Sequence, residues 1–65
     1  MNEMGRRARL RYFHGQFEVR QQGDHVVCAV TGQRIHLSQL RYWSVTRQEA
    51  YISPEAALER QEQDT

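Results

Sequence analysis

The sequence predicts an α+β fold: a few short antiparallel β-hairpins followed by one C-terminal helix. Three stretches carry this reading. Apolar and polar residues alternate over residues 9–12 and 17–20, on either side of Gly15. Residues 25–30 form a short apolar run rich in β-branched side chains, ended by Thr31-Gly32-Gln33. Ser53-Pro54-Glu55 sets a favoured capping residue, a favoured first helical residue and a dipole-complementing carboxylate in a row.

Taken in order, residues 1–8 are polar and basic without periodicity and are expected as a flexible tail. Leu10 and Tyr12 then share one strand face, Phe17 and Val19 share another, and Gly15 permits the turn between them. These four side chains are expected to point inward. Gln21-Gln22-Gly23-Asp24 is a second turn signal. A buried strand over residues 25–30 follows, and Gly32 suits the left-handed backbone of a tight turn. Ile35-His36-Leu37 reads as a brief extended segment, with Ser38 starting a single helical turn through Leu40. Residues 42–45 and 50–52 read as strands joined by the polar Thr46-Arg47-Gln48-Glu49. The capped helix is predicted over residues 54–61, with Ala56, Ala57 and Leu58 available to a core. The result is a single domain over residues 9–61 with a frayed acidic tail at 62–65.

At 65 residues the chain is near the lower limit for unaided folding. Such a domain buries only about 60% of its unfolded surface and usually needs a disulfide, a metal or a partner. Its single cysteine excludes an internal disulfide and gives little sign of an oxidising compartment. Residues 1–20 contain no apolar core of a secretory signal, and no apolar run approaches the roughly 20 residues of a membrane span. A cytoplasmic protein without membrane association is expected. The formal net charge is +1 but unevenly spread. Arg6, Arg7, Arg9, Arg11 and Arg20 crowd the first third, whereas Glu49, Glu55, Glu59, Glu62 and Asp64 face Arg60 near the end. All nine basic side chains are arginine, which a GC-rich genome explains without a special role.

Two segments have the outline of a metal site. Cys28-Ala29-Val30-Thr31-Gly32-Gln33-Arg34-Ile35 has the form of a zinc knuckle, C-x-x-C-G-x-x-I, with Thr31 in place of the second cysteine. Tyr51-Ile52-Ser53-Pro54-Glu55-Ala56 has the form Y-C-S-x-x-C, with Ile52 and Ala56 at the cysteine positions. A structural zinc needs four soft or borderline ligands, and of Cys28, Thr31, Ile52 and Ala56 only the first is a good one. We therefore expect vestigial ligand positions filled by packing, with no metal and no cofactor. Structural zinc supplies roughly 10–16 kcal/mol, against about 1.5–3 kcal/mol for one large aliphatic side chain. Several residues must share the task, among them Leu10, Tyr12, Phe17, Val19, Tyr42, Trp43 and Tyr51. The alternative, a reduced zinc site of His25, Cys28 and His36 with His14 near, meets a geometric objection. Residues three apart on a strand point to opposite faces, which separates His25 from Cys28.

No enzyme is expected. Val26, Val27, Ala29 and Val30 give Cys28 apolar neighbours, so it reads as a structural thiol. No acidic pair, phosphate loop or serine elbow is present, and no small-molecule substrate is expected. Exposed Trp, Tyr and Arg suit protein interfaces, and Arg41, Tyr42, Trp43 and Arg47 are the candidate surface of a protein-interaction or assembly module. The plainer reading has Tyr42 or Trp43 filling the core with the arginines solvated. A second candidate function is association with RNA or DNA, using Arg6, Arg7, Arg9 and Arg11 with the same aromatic segment. The small net charge weighs against it.

Two resemblances add to this. The run Gly23-Asp24-His25-Val26-Val27-Cys28-Ala29-Val30-Thr31-Gly32, then Ile35 and Leu37, then Leu40-Arg41-Tyr42-Trp43-Ser44-Val45 and Arg47-Gln48-Glu49-Ala50-Tyr51, resembles domain of unknown function family 2093, small uncharacterised bacterial proteins. That resemblance covers residues 10–57 and carries over no functional residues. The knuckle and closing segments resemble treble-clef zinc proteins, which include a ribosomal protein class and small bacterial inhibitors of DNA gyrase. This resemblance implies a metal-free treble-clef arrangement, because the chain departs at three of the four ligand positions.

Overall fold

The computed structural model describes residues 6–63. Its elements are β1 (Arg9–Phe13), β2 (Gln16–Gln21), β3 (His25–Val27), β4 (Arg34–His36), a 3-10 turn (Leu37–Gln39), β5 (Tyr42–Ser44), β6 (Glu49–Tyr51) and α1 (Pro54–Gln63). The strands pair as three antiparallel hairpins, β1–β2, β3–β4 and β5–β6, so the fold is α+β.

In the first hairpin Gly15 takes a φ of 83°, which lets the chain reverse within two residues. Leu10 pairs with Val19 and Tyr12 with Phe17, so these side chains share a face. Tyr12 is buried and Leu10 and Phe17 are partly so, but Val19 is 42% exposed. Trp43 covers the face at Tyr12 and Phe17 through ring contacts.

The central hairpin sets Val26 against Ile35, both buried. β3 stops at Val27 rather than continuing to Val30: the Cys28 amide still donates across the hairpin to the Gln33 carbonyl at 2.9 Å, but the pairing goes no further. The Cys28 carbonyl accepts the Gly32 amide at 3.0 Å, and Gly32 takes the left-handed φ of 77°. Beside it the Ala29 amide donates to the Ala50 carbonyl at 2.9 Å, which joins the knuckle to β6. The 3-10 turn begins at Leu37, one residue before Ser38, because the His36 imidazole caps it by accepting the Ser38 amide at 3.3 Å.

Residues 6–8 correct the expected flexible tail. Arg7 bridges His25 in parallel, and the Ala8 amide donates to the His25 carbonyl at 2.7 Å. Ala8 is buried in the core at 3% exposure. Gly23 makes this approach possible: a Cβ there would lie 2.4 Å from the Ala8 nitrogen. Nothing in the local pattern of residues 1–8 signals a partner strand that lies beyond a hairpin. The remaining residues of that segment lie outside the described ones.

The third hairpin is the layer between the first hairpin and the helix. Trp43 and its partner Ala50 share one face; Tyr42, Ser44, Glu49 and Tyr51 share the other. Trp43 points its face at Tyr12 and Phe17. On the opposite face α1 packs against β5 and β6. Ser53 caps the helix by accepting the Ala56 amide at 3.1 Å, and Ala56 is its buried residue. The helix continues to Gln63, past the expected end near residue 61, and Asp64 and Thr65 lie outside the described residues. No helix among the described residues is long and apolar enough to cross a membrane.

Candidate functional site

Of the four positions expected to be vestigial ligands, Thr31 and Ile52 reach the sulfur of Cys28. Cys28 is 2% exposed, and its Sγ accepts the Thr31 amide at 3.4 Å. Burial is the largest influence on the thiol and pushes its pKa up. Hydrogen bonds from the Thr31 hydroxyl and from the amides of Thr31, Ile52 and Val30 together outweigh it and hold the thiol below its ordinary value. Thr31 and Ile52 thus reach the sulfur from the knuckle and from the approach to the helix, and Ala56 is buried in the same core. The donors are main-chain amides and a hydroxyl. None of these donors is a general base.

The histidines are engaged elsewhere. His25 and His36 are cross-strand partners. The His25 Nδ1 lies 2.7 Å from the Asp24 carboxylate, and the His36 Nδ1 lies 2.9 Å from the Ser38 hydroxyl. Among the described residues no group of three or more His, Cys, Asp or Glu side chains is placed to hold a metal ion.

Three of the four surface candidates come together. Arg41, Tyr42 and Trp43 line an open groove of about 440 Å³, completed by His14 from the first hairpin, Val45 from the β5–β6 loop and Ala57 from α1. Tyr42 is 38% exposed and Arg41 is exposed. Trp43 belongs to the core and to the groove at once. Its indole stacks on Tyr12 with centroids 5.9 Å apart, meets Phe17 edge-on at 5.7 Å, and donates from Nε1 to the Phe13 carbonyl at 2.8 Å. These contacts hold the ring in one orientation, so its groove-facing edge is pre-organised.

Arg47 lies outside the groove. It is partly buried and donates a hydrogen bond to the Tyr51 hydroxyl, which donates to Glu49 at 2.9 Å. Arg60 grips the same carboxylate, with Nε 3.0 Å from Oε1 and Nη2 3.3 Å from Oε2. Burial, then the Glu49 carboxylate, raise the Tyr51 hydroxyl above its ordinary range. The network fastens α1 to β6. His14, Val45 and Ala57 escape sequence reasoning because they are unremarkable residues whose only common property is where they meet.

The N-terminal arginines are not gathered on one face. Arg6 and Arg7 run along β3. Arg7 and Arg9 line a second groove of about 720 Å³, whose other walls include Tyr12, Val27 and Gln48. Arg11 lies outside it, its guanidinium 5.9 Å from the centre of the Phe13 ring. Burial raises the Tyr12 hydroxyl, and the charge of Arg7 partly offsets this.

Neither a curated protein nor a solved structure matches the chain. A family model matches residues 19–60, a span that holds the central and third hairpins, the knuckle turn and most of the helix. On that match, which exceeds half of its length, the chain belongs to the family described as uncharacterized protein conserved in bacteria (DUF2093).

Proposed function

We propose that this protein is a non-enzymatic interaction module that binds a partner protein through the groove of Arg41, Tyr42 and Trp43. The observation that supports this best is the pairing of a fixed indole edge with an exposed phenol and an exposed guanidinium in one groove. Trp, Tyr and Arg are the residue types that dominate binding energy at protein interfaces, and a ring already held in place loses little entropy on binding. The buried thiol without a base supports a non-enzymatic role. One reduced cysteine suits the cytoplasm, where we place the protein. The test is affinity capture from bacterial lysate with Arg41→Glu and Tyr42→Ala beside the wild type. Both side chains are exposed, so the fold tolerates the changes. A stoichiometric partner lost by both variants supports the reading; an unchanged set of partners overturns it.

One observation favours a second reading, association with RNA or DNA. Arg11 lies over the exposed Phe13 ring, so charge and a stacking surface are adjacent. A salt-sensitive gel shift lost in Arg9→Ala/Arg11→Ala is expected; no shift at low salt removes this reading.

We also read Cys28, Thr31, Ile52 and Ala56 as the positions of a lost treble-clef zinc site. The support is the convergence of amide donors from the knuckle and from Ile52 on one sulfur.

A further inference from the structure

We propose that the groove is first occupied by a second copy of this chain, through the outward face of α1. This inference rests on the groove being a protein-binding surface. Leu58 is the largest apolar side chain of α1, yet it points away from the core that takes Ala56, and at 56% it is the most exposed large hydrophobic residue described. Glu55, three residues before it, is its neighbour on the helix surface, and the exposed Glu59, four after Glu55, lies beside Glu55 on the same flank. The exposed face of α1 is therefore an aliphatic anchor flanked by carboxylates.

The groove offers the complement. Tyr42, Trp43, Val45 and Ala57 give it an apolar floor, and Arg41 stands at its rim with His14. Arg41, Glu55 and Glu59 have no ion-pair partner among the described residues. Joining two copies places Leu58 on the aromatic floor and the carboxylates beside Arg41. The apolar contact supplies affinity, while the charges set orientation. Because each copy carries both the anchor and the groove, the same pair of contacts can form twice between two copies. The surfaces are small, so association is reversible and depends on concentration.

The test is sedimentation velocity across a concentration series up to the millimolar range, with emission of the single tryptophan, Trp43, as a second readout. The wild type is expected to shift from monomer to larger species while Trp43 emission moves to the blue. Leu58→Glu, at a solvent-facing site, is expected to weaken association by about tenfold or more while keeping the wild-type melting curve. Arg41→Glu alone and Glu55→Arg/Glu59→Arg alone should weaken it similarly, and mixing these two variants should restore it. A wild type that stays monomeric throughout overturns self-association and leaves the groove reading to the capture experiment with Arg41→Glu. Association unchanged by Leu58→Glu, or not restored on mixing, overturns the proposed contact. If Arg41→Glu changes neither association nor captured partners, both readings fall.

Discussion

The side-chain amide of Gln48 holds the main chain of Tyr12 by both of its ends. Gln48 Oε1 accepts the Tyr12 amide at 2.9 Å, and its Nε2 donates to the Tyr12 carbonyl at 2.9 Å. The same Nε2 donates to the Val45 carbonyl at 2.7 Å. Gln48 thus acts as a one-residue strand on the outer edge of β1 and ties it to the β5–β6 loop. It does so from a backbone φ of 56°, in the left-handed region that side chains with a Cβ rarely adopt.

Gln48→Ala removes the clamp and keeps the strained φ, so it should cost about 1–3 kcal/mol of stability. Gln48→Gly also removes the clamp but relaxes the backbone, so its loss should be smaller by roughly 0.5–1 kcal/mol. Urea denaturation of the three proteins measures this. Equal losses would mean that the backbone carries no strain at this position.

Gly23→Ala should detach residues 6–8 from β3. The added Cβ would meet the Ala8 backbone, which cannot move aside as the tip of a flexible side chain would. We expect a loss of about 1–3 kcal/mol and rapid hydrogen exchange at the Ala8 amide, which is protected by its bond to His25 in the wild type. Gly15→Ala is the control: its Cβ meets nothing, and only the positive φ of 83° opposes it. An Ala8 amide that stays protected in Gly23→Ala would refute the close approach.

Alkaline pH should destabilise the fold through Tyr51 and Tyr12. Both hydroxyls are raised above their ordinary 10.0 by burial, and Tyr51 also by Glu49. Above pH 10 the unfolded chain therefore releases these protons while the folded chain keeps them. Their contribution is complete below 10.0 and is lost as pH rises through the folded values. Tyr51→Phe should cost about 1 kcal/mol at neutral pH and show a shallower loss above pH 10. An alkaline limb identical to the wild type would remove Tyr51 from this account.

Cysteines placed at Thr31, Ile52 and Ala56 test the proposed zinc-site reading. Thr31→Cys/Ile52→Cys/Ala56→Cys should bind one zinc and gain thermal stability on metal addition, whereas wild-type unfolding should ignore chelators. A triple variant that fails to bind zinc would mean that the four positions do not form a tetrahedron.

The aromatic segment shows where sequence reasoning divides. Tyr42 and Trp43 are adjacent in a strand, so one must face the helix side and the other the first hairpin. That alternation was readable; which of the two was buried was not, because it depends on what packs across each face. Trp43 proves to be part of the core, so its removal tests stability before it tests binding, and Tyr42 and Arg41 are the better reporters of the groove. Arg47, grouped with them by spacing alone, belongs to the Tyr51–Glu49–Arg60 network, because the turn before β6 carries it away.

By itself the sequence determined the elements whose causes are local. Ser53 and Pro54 start the helix because the cap and the fixed proline φ act within one turn, and Gly15 and Gly32 reverse the chain because only local sterics oppose a positive φ. Tertiary structure decided the rest. The burial of Ala8, the clamp of Gln48 on Tyr12 and the groove that joins His14, Tyr42 and Ala57 all arise between residues distant in the chain. Their energies come from packing and paired main-chain groups, which no local pattern encodes.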